Sequence, residues 1–232
     1  MSLPLLLSVP HAGLTVPLEA EPWCVLTERE IAEDGDEGAA EIYDLESAVA
    51  AFQTTDVARA IVDLNRAEDD RRGDGVVKTH TCWNVPVYRA PLSEAAIEQL
   101  LDRYHRPYHR RLAELAAEGY ARLAIDCHTM AAKGPPVGPD SGQERPWICL
   151  GYGEGTCPTS WIEALRDCFV ERIGPRVTIN EPFSGGYITR HHAADMPWLQ
   201  LEMSRAPFLS NAEKKEMVRA VLTRLVERIG EG

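Results

Sequence analysis

Short apolar runs alternating with helical stretches predict an α/β fold: a three-layer arrangement with a mixed, mainly parallel sheet between helices. Three observations carry that expectation. Residues 5–9, 60–64, 123–125, 148–150 and 199–203 have the length and continuous apolar character of buried strands. Amphipathic stretches with recognisable starts lie between them. The 232 residues contain no repeat, low-complexity tract or linker, so one core, and a single domain over residues 1–232, is expected.

In chain order, residues 5–9 lead into a turn imposed by Pro10 and Gly13. Ile42, Leu45, Val49 and Phe52 recur at helical spacing and predict an amphipathic helix. Residues 60–64 form the next expected strand. Ser93 then precedes a stripe of Ile97, Leu100, Leu101, Tyr104, Tyr108, Leu112 and Leu115 that stops near Gly119. After the strands at 123–125 and 148–150, Ser160 with Glu163 and Ser210 with Glu213 have capping-box spacing. Residues 199–203 lie between these two boxes, and the last helix is expected to end at Gly230.

The formal charge of -12 makes the chain a poor electrostatic partner for nucleic acid. Eleven acids and one base (Arg29) fall between Glu19 and Glu46, which reads as a solvated helical face in which individual acids can still have a role. The apolar run at residues 3–9 is far short of the ~20 residues that span a bilayer. It also lacks a basic flank and a cleavage site, so no membrane association and a cytoplasmic location are expected. Six cysteines without a CxxC pair read as reduced thiols packed as small hydrophobes.

In a doubly covered sheet, ligands sit beyond the carboxyl ends of the strands. His11 in SVPHAG and His128 in DCHTM both fall at such ends and could share a metal, most naturally zinc. Asp34, Asp36 and Glu37 each offer a third, oxygen ligand. Cys127 points away from His128, because neighbours on a strand face opposite sides, whereas Asp126 shares its face. Glu202 in LQLEMSR alternates with Leu199, Leu201 and Met203. A general base or a buried ion pair with an arginine would each account for it. Arg66 in DLNR and Arg190 in GGYITRHH could fork a substrate carboxylate or pair with the acidic surface. His105 and His109, four apart, have metal-compatible spacing, but their place beside the apolar stripe favours packing. His80, in KTHTCWN, sits in a loop that could border a pocket.

Taken in order, SVPHAG, DLNR, DCHTM, GGYITRHH and QLEMSR resemble the N-formylglutamate amidohydrolase family, over about residues 8 to 205. That family is similar in fold to zinc carboxypeptidases and aspartoacylases. The resemblance implies one Zn2+ held by His11, Asp36 and His128, with Asp34 the second choice of acid. It implies that Asn65 and Arg66 grip a substrate carboxylate, that Glu202 is the catalytic glutamate, and that Tyr187 and Arg190 line the pocket. The position after Asp36, usually aromatic in the family, is Glu37 here. The implied activity is zinc-dependent hydrolysis of a small acidic N-acyl, for this family N-formyl, amino acid. A metallopeptidase, a deacylase of another N-acyl compound and a non-catalytic ligand-binding homologue are the alternatives.

Overall fold

A computed structural model describes residues 2–137, 140–153 and 155–230. Six strands form one sheet in the order β2-β1-β3-β6-β4-β5. They are β1 (Leu3–Val9), β2 (Val49–Thr54), β3 (Leu123–Met130), β4 (Ile148–Gly151), β5 (Val177–Ile179) and β6 (Trp198–Ser204). All neighbours run parallel except β4 against β6. The helices are α1 (Glu28–Asp34), α2 (Ala39–Ile42), α3 (Glu94–Leu100), α4 (Arg106–Ala117), α5 (Thr159–Ile173), α6 (Tyr187–His191) and α7 (Asn211–Gly230). Among the described residues no helix is long and apolar enough to cross a membrane.

The period-two alternation of strand side chains divides the core in two. Leu5, Leu7, Ile125, Leu199, Leu201 and Met203 pack on one face with residues of α5 and α7. Leu6, Ala124 and Trp198 pack on the other with α3, α4 and the 57–87 segment. On that second face the strands change character along their length. Leu6 is followed by Ser8, Ala124 by Asp126 and His128, and Trp198 by Gln200 and Glu202, all buried. The parallel register sets Ser8 beside Asp126, Asp126 beside Gln200 and His128 beside Glu202. A polar cluster is therefore built at the carboxyl ends of the three central strands.

Three sequence expectations are corrected. Val49 and Phe52 belong to β2, not to a helix; the helical stretch ends at Ile42 and the chain pairs with β1 instead. The i, i+3 recurrence joined residues of two different elements. Residues 60–64 are not a strand but a buried segment of turns, with Val62 bridged to Val77. Continuous apolarity reported burial there, not pairing. Ser160 lies inside α5, which starts at Thr159 without a side-chain cap. By contrast, Ser93 caps α3 through the Ala96 amide, and Ser210 and Glu213 close a reciprocal capping box. The last helix ends at Gly230.

Candidate active site

His11 stands in the turn just after β1, and His128 stands inside β3, which runs past the predicted 123–125. Asp36 comes from the turn between α1 and α2, where its amide donates to the His11 carbonyl (3.2 Å). The two Nδ1 atoms face each other at 3.1 Å, and Asp36 lies 2.9 Å from His128 Nδ1 and 3.6 Å from His11 Nδ1. The opposite edges of both rings are committed. His11 Nε2 is 2.8 Å from Asp63, and His128 Nε2 is 2.8 Å from Asp126. A carboxylate only accepts, so each Nε2 carries the proton. Both Nδ1 lone pairs then converge with a carboxylate on one point, which is unfavourable unless a cation sits among them. Two neutral imidazoles and a carboxylate, each imidazole backed by an acid, are the donor set zinc takes. The group fits a metal on this structure's own hydrogen bonding.

The surrounding charges likewise favour a cation at this point. Burial works against the charge of Asp36, yet the adjoining His11 and His128 hold its carboxyl well below the usual range. Burial also opposes protonation of His128, but Asp126 and Asp36 raise its pKa well above the ordinary imidazole value. The potential at this point favours positive charge. Of the three candidate acids, Asp36 is the one that meets the imidazoles: Asp34 is spent on the Lys78 ammonium (2.8 Å) and the Cys82 amide (2.7 Å), and Glu37 is exposed.

Glu202 sits opposite His128 in the β3–β6 register and is buried. Among the described residues no arginine pairs with it; its carboxylate accepts from Gln200 Nε2 at 2.6 Å. Burial pushes its pKa up, only partly offset by His128. A half-free, buried carboxylate beside the metal-type group is suited to accepting a proton. Cys127 packs in the opposite core, where burial pushes its thiol up, so the structure offers it no part in this site.

Asn65 and Arg66 occupy the turn after residues 60–64. The Asn65 amide donates to Asp126 (3.0 Å), and its carbonyl accepts from the Ile188 amide (2.8 Å). Two histidines hold this turn from outside. His105 Nε2 donates to the Arg66 carbonyl (2.8 Å) and His109 Nε2 to the Leu64 carbonyl (3.0 Å), so they clamp the residues on either side of Asn65. Burial pushes the His109 pKa down to about 2, which keeps it a neutral donor. The HxxxH pair thus packs and positions. A second close group, His109, His191 and His192, includes no carboxylate.

Gly186 explains part of GGYITRHH. A Cβ there would lie 2.2 Å from Asn65 Nδ2, so only glycine admits the approach. Gly186→Ala should displace Asn65 and lower kcat/KM by about 10- to 100-fold, the scale of a small misplacement near the chemistry. Steady-state kinetics with circular dichroism would check this: unchanged kinetics in a folded variant would mean that the Asn65 position is unimportant.

Tyr187 and Arg190 are not among the residues that border the cleft, although residues 182–186 just before them are. Both lie in α6, whose turn sends Ile188 and Thr189 inward, leaves Arg190 exposed on Ser184 (3.2 Å) and stacks Tyr187 on His191 (4.7 Å). His80 does not border it either. The cleft, of about 540 Å³, is bordered by His11, Asp36, His128, Glu202, Asn65 and Arg66. Sequence reasoning passed over Asp63, Arg145 and Arg205. Asp63 had a signal, an acid inside an apolar run; burial opposes its charge, but His11, Arg59 and Lys78 hold its pKa well below normal.

A mainly parallel α/β sheet with a buried acid–imidazole cluster at its strand ends defines a hydrolase-type site. The sequence model described as N-formylglutamate amidohydrolase matches residues 3–209, and the chain belongs to that family of amide hydrolases. N-formylglutamate deformylase of Pseudomonas aeruginosa is 30% identical over 250 aligned residues, covering 97% of this chain and 92% of that protein. The N-formylglutamate deformylase of Pseudomonas putida is 28% identical, covering 91% and 84%. Among solved structures, N-formylglutamate amidohydrolase from Ralstonia eutropha JMP134 superposes with a TM-score of 0.79 over 99% of this chain and 93% of that one; at 22% identity this speaks for the fold. The family read from the five strings is borne out.

Proposed function

We propose that this chain is a zinc-dependent amidohydrolase that removes the N-formyl group from an acidic amino acid, within one domain over residues 1–232. The observation that carries the reading is the buried meeting of His11 Nδ1, His128 Nδ1 and Asp36 beside the carboxylate of Glu202. Both curated relatives named above are N-formylglutamate deformylases, which supports the N-formyl substrate. His11, Asp36 and His128 would hold the metal. A zinc ion bound there supplies Lewis acidity, polarising the scissile carbonyl and acidifying water.

The remaining steps belong to the chain's own side chains. Glu202 accepts a proton from the attacking water and later delivers it to the leaving nitrogen, so that formate and a free amino acid depart. Asp63 and Asp126 fix the two imidazoles in the tautomer that presents Nδ1 to the cleft. Arg66, braced at its carbonyl by His105, offers its guanidinium to the α-carboxylate and sets the carbonyl in place.

The direct test is formate release from N-formyl-L-glutamate by the purified chain, beside N-acetyl and peptide analogues. Absence of turnover on the N-formyl compound alone would overturn the proposal. Arg66→Lys keeps the charge but loses the planar fork. It should lower kcat/KM by about 10- to 100-fold, as one or two charge-assisted hydrogen bonds worth ~1.5–3 kcal/mol each would. An analogue whose α-carboxylate is amidated should be nearly insensitive to the change. Equal losses on both would assign Arg66 to the fold.

A further inference from the structure

The cations that border the cleft differ in what they have to spare. Arg59 donates to Asp63 (3.1 Å), Arg72 pairs with Asp70 (2.6 Å) and Lys78 pairs with Asp34 (2.8 Å). Arg145 is held by both oxygens of Asp140, at 2.6 and 3.0 Å. Arg66 leans on Asp74 (3.3 Å) and more loosely on Asp63 (3.8 Å), its buried Nε making no hydrogen bond. Arg205 is different. Among the described residues its guanidinium meets no carboxylate, and its buried Nε has no hydrogen-bond partner. A buried donor left unmade is costly, so a guanidinium kept in this way at a cleft wall implies an acceptor that arrives from outside.

The backbone around Arg205 is fixed as well. Its amide donates to the Met130 carbonyl at the end of β3 (2.8 Å). The buried Lys214 ammonium donates to the carbonyls on either side, Ser204 (2.9 Å) and Ala206 (3.1 Å), and lies over the Phe208 ring. Burying an ammonium without a carboxylate is expensive. Here that charge holds the one turn that presents Arg205, as His105 and His109 hold the turn that presents Arg66.

Position separates the two arginines. Asn65, next to Arg66, touches His128 directly (3.0 Å), so Arg66 stands close to the reacting group. Arg205 lies three residues beyond Glu202, roughly 10 Å along an extended chain. In an N-acyl acidic amino acid the α-carboxylate is adjacent to the scissile nitrogen and the side-chain carboxylate is farther away. We infer that Arg205 anchors the distal, side-chain carboxylate of the substrate and thereby selects acidic over neutral amino acids. This rests on the amidohydrolase reading above and adds to it a specificity-determining residue.

The test compares N-formyl-L-glutamate with N-formyl-L-glutamine, which keeps the α-carboxylate and replaces the distal one by an amide. Arg205→Gln in the full chain should lower kcat/KM for the glutamate compound by about 30-fold, mainly through KM, as loss of a charge-assisted fork predicts. The glutamine compound should change less than about threefold, since its neutral amide can accept only an ordinary hydrogen bond in place of the charge-assisted fork. Arg205→Lys should recover part of the loss because the charge remains without the fork. Equal losses on both substrates, or no loss on either, would overturn the assignment. Calorimetric binding of glutarate supplies a readout that does not need turnover. If the wild-type chain hydrolyses neither compound, the amidohydrolase reading fails by itself. Glutarate binding weakened about tenfold by Arg205→Gln would then still support the anchor, and unchanged or absent wild-type binding would overturn it.

Discussion

Glu202→Gln will keep the fold and any bound metal while lowering turnover by about 100-fold or more, the usual contribution of a general base. Glutamine preserves the volume and can still meet Gln200, but it cannot accept a proton. The pH profile gives a second signature. Burial raises the Glu202 pKa, and only the ionised form accepts a proton. Activity should therefore rise with pH along an acidic limb, and that limb should vanish in the glutamine variant. Stopped formate release across pH, with metal content measured alongside, checks both. Near-normal turnover would make Glu202 a structural acid.

The second large effect concerns the metal. Purified protein should contain about one zinc per chain, and His11→Ala or His128→Ala should lose it while circular dichroism shows the fold retained. The reason is the convergence itself: with Asp63 and Asp126 each holding an Nε2, both Nδ1 atoms and the Asp36 carboxylate meet at one point, where a single cation answers all three. Asp126→Asn should weaken the affinity by about 10- to 100-fold, as loss of a supporting acid does. Asp36→Ala should weaken binding and Asp34→Ala should not, because Asp34 already answers Lys78 and Cys82. Elemental analysis of the variant set reads all of these. Full occupancy in both histidine variants would remove them from the site.

Legibility varied with how local the cause was. The Ser210–Glu213 capping box and the apolar stripe through α3 and α4 were readable because capping and helical periodicity act within a few residues. Residues 60–64 and Val49 were misread because apolarity records burial, while strand or turn depends on which backbone groups pair. The orientation of Tyr187 and Arg190 was not legible for a related reason: α6 is five residues long, and tertiary contacts determine which way its side chains turn. Arg205 stood inside the string QLEMSR, yet its importance lies in lacking a partner, which no string can display.

By itself the sequence determined the α/β class, the family, and the residues His11, His128 and Glu202 as a strand-end set, since side-chain alternation and order along the chain are local properties. The tertiary structure alone shows that Asp36 rather than Asp34 meets the imidazoles, that Glu202 pairs with Gln200 and not with an arginine, and that the cleft arginines differ in their partners. Each of those depends on where distant carboxylates and backbone carbonyls already have their hydrogen bonds satisfied. That accounting is made only when segments far apart in the chain, such as Ser8 and Asp126 at a separation of 118 residues, are brought into contact.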